Sequence, residues 1–582
     1  MKFYSAIMRP LLQLLTWDEK RKGVVIIVLM IFNALLDFFS LASFLPLIFL
    51  LVSPDFLTSN YLISRIYHGL DFSSPASFII AVSIAVLIFT LIKSALGLWI
   101  TRAKANFSFS IGSHLSSRML SSYLEMDYLT FTQSDFTREQ NRIANLPIAF
   151  ANNIIMPLAS LLSEGLVFLI LLFCIVVYDP KIFLLIIIIL APIGLLYRFQ
   201  RNQLKRNSAE LKERYPLALK HALQSVEGMM DIKASGKESF FKTKFENISK
   251  SLAKTFVRDH ATQSVATRLT EVIAAFIICS IIIYAVVVDQ NYHQKILLLG
   301  IYAGASFRMI PSINRILNSI LQIKSHEYLF DELNIISHQP IQKQEPFETP
   351  SFVKTIELVN ITFRYPQGAL VLNNASLLIH KGEKIALVGK SGTGKTTLLL
   401  LLLQFLESQS GEIRLDGVVI DSNNSKAFRR TFGYVPQNPY LLDGTIAENI
   451  AFGLPTQEID TEKIEQLVRE LDLKEMIQSL PEGLSTFIGE KGIKLSGGQR
   501  QRIAIARVLY ANAEVLLFDE ITNQLDAKSE HEILRTLEKV ASQHKTIIMI
   551  THHDHLLKYF DRVLSLENGT LIERIPLTIS SS

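Results

Sequence analysis

Two regimes of hydrophobic patterning divide the chain. Up to about residue 325, long apolar stretches follow one another; beyond about 353, the apolar residues fall into the short runs of an ordinary globular domain. A helix needs about 20 mostly apolar residues to cross a bilayer. Six stretches qualify, some by tolerating one internal polar residue: 23–52, 76–100, 154–178, 182–197, 270–288 and 296–323. The fourth is short at its charge-free core and must extend into its flanks. Helices apolar on every face belong in a membrane or a large core, and about 300 residues cannot bury six of them. The pattern predicts an all-α six-helix transmembrane domain over 1–325, a polar, Pro-punctuated linker over 326–352, and a globular domain over 353–582.

Charge orients these spans. Lys and Arg number five in 1–22, five in 101–150 and thirteen in 199–263, against one each in 53–75, 179–181 and 289–295. The positive-inside rule then puts both termini, the two long loops and the globular domain in the cytoplasm. Helical periodicity continues through 203–225, so the long loops read as extensions of the spans. In 56–70, Leu62, Ile63, Ile66, Tyr67 and Leu70 recur at helical spacing. That segment is either an amphipathic helix on the outer membrane surface or a packed surface loop. A hydrophobic share of 49% and a mean hydropathy of +0.30 exclude a disordered tail protein and argue against a simple cytosolic enzyme. A net charge of +5, from 58 basic and 53 acidic side chains, gives no reason to expect a nucleic-acid partner. Cys174 and Cys279 lie far apart in apolar runs and offer neither a disulfide framework nor metal-ligand spacing.

The globular domain carries the chemistry. A strand pattern at 384–388 runs into Gly389, Lys390, Ser391, Gly392, Thr393, Gly394, Lys395, Thr396 and Thr397, the P-loop pattern in its strand–loop–helix context. Its glycines let backbone N–H groups curl around phosphate oxygens at a helix N-terminus. Lys395 is expected to reach the outer phosphates, and the Thr396 hydroxyl to bind Mg²⁺. A buried-strand pattern at 515–518 ends in Asp519 and Glu520. The first suits Mg²⁺ coordination and the second is placed to orient or deprotonate a water. Together these features indicate a nucleoside triphosphate hydrolase. Ser496-Gly497-Gly498-Gln499 opens a helix-like run over 500–510, a second anion cradle.

The order of P-loop, Gln437, Leu495-Ser496-Gly497-Gly498-Gln499, Asp519-Glu520 and a following histidine resembles the ATP-binding cassette of ABC transporters. With six spans upstream, the whole chain is similar to an ABC exporter half-transporter. The expected fold class is therefore multi-domain, an all-α membrane domain followed by an α/β P-loop nucleotide-binding domain. The resemblance implies ATP and Mg²⁺ as cofactors and a second copy of the chain as partner. Tyr365 matches the aromatic that stacks on adenine. Gln437 matches the loop glutamine that contacts Mg²⁺ and couples to the membrane helices. Ser496, Gly497 and Gly498, with Gln499 beside them, match the signature that closes on ATP held by the opposite subunit. Glu520 matches the catalytic carboxylate, and His552 the histidine that contacts the γ-phosphate, with His553 where an Arg is usual. Lys395 and Gln437 complete the catalytic set. The family pattern Ser-Ala-Leu-Asp is replaced by Asn523-Gln524-Leu525-Asp526, a departure expected to bear on the dimer seam and to leave the hydrolytic residues untouched. A coupling helix is expected near 215–224, before the segment 227–238.

For the cargo, polar groups inside spans are the guide, because burying them in lipid is expensive. Asp37, Lys93, Glu164, Glu271, Arg308 and Arg315 are the candidates. Arg308 and Arg315 are two helical turns apart on one face, so they could grip an anionic head group, snorkel, or pair with Asp37 or Glu164. Arg308, Pro311, Asn314 and Arg315 also resemble span six of the lipid-linked oligosaccharide flippases, and Asp37 falls where those carry a carboxylate. That likeness implies a pyrophosphate-linked lipid saccharide as substrate; a peptide, antibiotic or other hydrophobic small molecule is the alternative. The implied mechanism is alternating access by a homodimer. The expected location is the cell inner (plasma) membrane, multi-pass.

Overall fold

The computed structural model describes residues 8–52, 61–72, 74–178, 180–288, 292–334, 352–471, 473–489, 492–523, 525–542 and 544–574. The chain forms two compact units, one of 1–126 and 130–341 and one of 127–129 and 342–582.

The first unit is helical. Thr16 caps its first long helix, Trp17–Ala42, through a reciprocal box: the Thr16 N–H donates to Glu19 Oε2 at 2.7 Å, and the Glu19 N–H donates to Thr16 Oγ1. Span one then breaks at Ser43, whose hydroxyl donates to Ser40 O at 2.7 Å, and resumes as Phe44–Val52 with Pro46 in the tolerated first turn. Further helices cover Pro75–Leu124, Met156–Tyr178, Pro180–Glu227, Glu238–Val288 and Tyr292–Ser325. At 1.5 Å per residue, helices of 48 to 51 residues run about 75 Å, far beyond a bilayer, so the long loops continue the spans as helices. Leu98, Trp99, Phe173 and Val177 are exposed on these helices, as side chains facing acyl chains would be.

The helix expected near 215–224 is not a separate element. Those residues lie inside Pro180–Glu227, and the chain turns only at Gly228 into the short helix Met229–Ala234. Periodicity marks a helix but not where it breaks; that information sits in one glycine. The segment 56–70 contains a helix, Tyr61–Gly69, while 53–60 lie outside the described residues. Ile63 and Tyr67 pack with Phe78 and Leu50, whereas Tyr61, Ile66 and Leu70 stay exposed, so one face is packed and the other open. Part of the predicted linker is also helical. Tyr328–Asn334 buries Leu329, Phe330 and Leu333 against Phe150 and Ile154, and 335–351 lie outside the described residues.

The second unit holds two sheets. Strands β1 (Thr355–Arg364), β2 (Leu370–His380), β4 (Ser410–Leu415) and β5 (Val418–Val419) form an antiparallel sheet in the order β2-β1-β4-β5. The other sheet runs β10-β9-β3-β8-β7-β6, from β3 (Lys384–Val388), β6 (Phe432–Val435), β7 (Val515–Asp519), β8 (Thr546–Ile550), β9 (Arg562–Glu567) and β10 (Thr570–Arg574). All its pairings are parallel except β9–β10. Every residue of β7 and β8 is buried, as expected of parallel strands covered on both faces. Their register sets Leu387 beside Ile550 and Ile550 beside Asp519, so the ends of β3, β8 and β7 finish at one edge. Ligands of parallel sheets bind at that carboxyl edge.

Candidate active site

The loop after β3 delivers the phosphate cradle. Gly394 has φ +106, and a Cβ there would stand 2.5 Å from Val371 Cγ1, so only glycine serves. Lys395 opens the buried helix Lys395–Leu402 and donates to the carbonyls of Gly389 and Lys390 at 2.9 and 3.0 Å. Burial lowers its pKa, opposed by Asp519 and Glu520 nearby. Thr397, in the first turn of that helix, meets the phenol of Tyr365 at 3.1 Å, which brings that half-buried aromatic to the cradle.

Strand β7 delivers the carboxylates. Asp519 Oδ1 accepts from the Thr396 hydroxyl at 3.3 Å, and its Oδ2 accepts from the Tyr434 hydroxyl at 3.2 Å. Burial pushes the Asp519 carboxyl up, as does Glu520, against the pull of the two hydroxyls and Lys395. Burial and Asp519 also push the Tyr434 phenol up, so it remains a proton donor. Hard oxygens of Thr396 and Asp519 set side by side fit Mg²⁺, and these two would hold it. Among the described residues, no hydrogen bond ties the Gln437 side chain to that pair; Gln437 is held through its carbonyl, which accepts from Gln501 Nε2 at 2.6 Å. Tyr434, three residues before Gln437, carries no motif signal of its own, and its place beside Asp519 comes from the parallel pairing of β6 with β7.

Glu520 departs from regular geometry, with φ +52 directly after β7. A non-glycine residue in this region costs energy and persists where the surroundings impose it. Its N–H donates to Ile550 O at 3.2 Å, across to β8. His552, two residues beyond β8, puts Nε2 2.9 Å from Glu520 Oε1, whereas His553 turns to Glu530. Asn523 donates from Nδ2 to Glu520 Oε2 at 2.6 Å. Asn523, the first residue of that departure, therefore does touch the carboxylate expected to be hydrolytic, contrary to expectation. Gln524 lies outside the described residues.

The signature segment is a helix start. Ser496 caps Gly497–Tyr510, its Oγ accepting from Gln499 N at 3.3 Å while Gln499 Oε1 accepts from Ser496 N at 2.8 Å. Gln499 is thus committed to the cap, and Gly497 and Gly498 form the first turn. A Cβ on Gly498 would stand 2.8 Å from Ser529 Cβ, so the next helix, Ala527–Ser542, requires glycine there.

In the first unit, five of the six charged span candidates form one ion-paired cluster. Asp37 meets Lys93 and Arg308, each at 2.5 Å. Glu164 meets Arg315 at 2.9 Å, Arg308 at 3.6 Å and the Ser312 hydroxyl at 2.8 Å. Glu271 stands apart, paired with Arg268 at 3.0 Å.

Residues 25–294 match the family description "ABC transporter transmembrane region", and 372–523 match "ABC transporter". The ATP-dependent lipid A-core flippase of Cupriavidus metallidurans is 31% identical over 429 residues, covering 72% of this chain and 70% of that protein. The chain belongs to the ABC transporter family. This ABC transporter chain is also 31% identical to the lipid A-core flippase of Saccharophagus degradans, over 60% of the chain and 59% of that relative's length. A Bacillus subtilis protein named for multidrug export is 29% identical over 72% of the chain and 73% of its own. The fold matches that of a bacterial Atm1-family ABC exporter solved with ATP bound, at a TM-score of 0.75 and 20% identity over 96% of this chain and 95% of the other.

Proposed function

We propose that the chain is one half of an ATP-driven exporter or flippase that works as a homodimer by alternating access. The observation that carries this reading is the Glu520–His552 pair at the carboxyl edge of the sheet, beside Lys395 and the Thr396–Asp519 pair. Glu520 is the base that activates water, and His552 orients it. Lys395 and the P-loop N–H groups hold the phosphates, with Tyr365 at the adenine. Thr396 and Asp519 would hold Mg²⁺, which when bound would neutralise phosphate charge. Ser496, Gly497 and Gly498 close on the nucleotide of the second copy. Binding two nucleotides favours the closed pair of cassettes, and hydrolysis releases it.

The cargo in this reading is an amphipathic lipid with an anionic head group, of the pyrophosphate-linked oligosaccharide class. Relatives named as lipid A-core flippases support a lipid. The span cluster supports an anion: three cations, Lys93, Arg308 and Arg315, face two carboxylates, and Arg315 is half exposed. The similarity to a protein named for multidrug export favours, as the second reading, a hydrophobic small molecule. The protein works in the inner membrane with both termini and the nucleotide-binding unit cytoplasmic.

The test is ATPase activity of the purified chain in lipid bilayers, with and without an undecaprenyl-pyrophosphate oligosaccharide extract. Stimulation in the wild type that is lost in Arg315→Ala supports the anionic lipid. Basal hydrolysis indifferent to the lipid shifts the cargo to the small molecule, and absence of hydrolysis overturns the reading as a whole.

A further inference from the structure

The same edge of the sheet holds a second set of donor groups that hydrolysis does not use. Glu530 lies in the first turn of the helix Ala527–Ser542, and His553 and His555 lie just beyond β8. Glu530 Oε1 is 3.3 Å from His555 Nε2 and 4.0 Å from His553 Nδ1, and one ligand atom from each residue lies within 4.8 Å of the others. The imidazole rings meet edge-on with centroids 5.4 Å apart. Glu530 Oε1 is shielded from water yet accepts no hydrogen bond, although His555 Nε2 stands 3.3 Å away. A buried carboxylate oxygen left unbonded is costly unless something else satisfies it.

Two imidazoles and one carboxylate suit borderline divalent ions, zinc above all, rather than Mg²⁺, which prefers oxygen donors. A tetrahedral ion about 2.1 Å from each donor keeps the donors about 3.4 Å apart, against 3.3 and 4.0 Å from Glu530 Oε1 to the two imidazoles, so small side-chain rotations would close the site. We propose that Glu530, His553 and His555 form a binding site for a divalent transition-metal ion of the zinc class, with water in the fourth position. The consequence follows from the chain. His553 directly follows His552, and the Glu530 N–H donates to Asp526 O at 2.9 Å, in the turn that begins at Glu520. A bound ion ties these two segments together and restrains His552 against Glu520, slowing hydrolysis.

The experiment uses the full chain in lipid nanodiscs, tag removed and stripped with chelator, titrated with Co²⁺ in the absence of nucleotide. Visible d–d absorption reports binding, and Zn²⁺ is then added as competitor. The wild type is expected to bind one Co²⁺ per chain and to release it to Zn²⁺. His555→Ala and Glu530→Gln each weaken binding by roughly 100-fold. His555 is 57% exposed, so its replacement leaves folding intact, as an unchanged melting temperature in chelator would verify. Equal binding in wild type and both variants, or none in any, overturns the site. In a second arm, buffered free Zn²⁺ slows wild-type ATP hydrolysis severalfold and leaves His555→Ala unaffected. Zn²⁺ that binds without slowing hydrolysis overturns the restraint on His552.

Discussion

Asn523 Nδ2 donates to Glu520 Oε2 at 2.6 Å, while His552 Nε2 sits 2.9 Å from the other oxygen of the same carboxylate. Glu520 is thus held from both sides, which compensates for its left-handed backbone. Removing the amide leaves one oxygen unheld. Asn523→Ala should lower kcat about tenfold, the loss of one hydrogen bond to a charged group, with the KM for ATP unchanged. A raised KM with intact kcat would instead tie Asn523 to nucleotide binding.

Glu520→Gln keeps the shape of the side chain but not its basicity. The variant should bind ATP with wild-type affinity, lose turnover by at least about 100-fold, and accumulate as a closed, nucleotide-loaded dimer. Nucleotide retention on a sizing column and single-turnover phosphate release check this. Unimpaired turnover would move the base to another residue.

Arg308 and Arg315 occupy one helix face but differ in commitment. Arg308, 20% exposed, bridges Asp37 and Glu164, whereas Arg315 is 51% exposed and, among the described residues, pairs with Glu164 alone. Arg308→Ala should destabilise the chain by about 2–3 kcal/mol, since it strips one of two cationic partners from the buried Asp37 and one from Glu164. Arg315→Ala should cost about 0–1 kcal/mol. Thermal unfolding in the same lipid compares the two, and equal losses would refute the distinction.

Glu332 anchors the helix Tyr328–Asn334 to the rest of the first unit, accepting from Arg138 at 3.2 Å and from Arg142 Nη2 at 3.2 Å. Burial raises its carboxyl, but Arg138, Arg142 and Lys212 outweigh burial and hold it below the usual range. A depressed folded pKa stabilises above the unfolded value, about 4.3, and that contribution disappears as pH falls through the lower folded value. Glu332→Gln should therefore be less stable than wild type by about 3 kcal/mol at neutral pH. The gap should stay constant from pH 7 to 5 and close below about pH 4. Melting curves across that range test both the size and the sign.

Much of this protein is written locally in its chain. The six apolar stretches, the P-loop between a strand and a helix, the Ser496 cap and the carboxylates ending a buried strand are features of contiguous residues, read from period and spacing alone. What the sequence could not decide was which distant groups meet. Thr396 and Asp519 are 123 positions apart, and Arg308 and Asp37 271. Parallel pairing of β3, β8 and β7 brings the first pair together, and helix packing the second. The Glu530–His553–His555 cluster arises the same way, and even the contact of Asn523 with Glu520, three residues apart, was not legible, because it follows from a left-handed backbone at Glu520. Each depends on the direction of a side chain leaving a turn, which local propensity leaves open and the packing of neighbouring strands and helices determines.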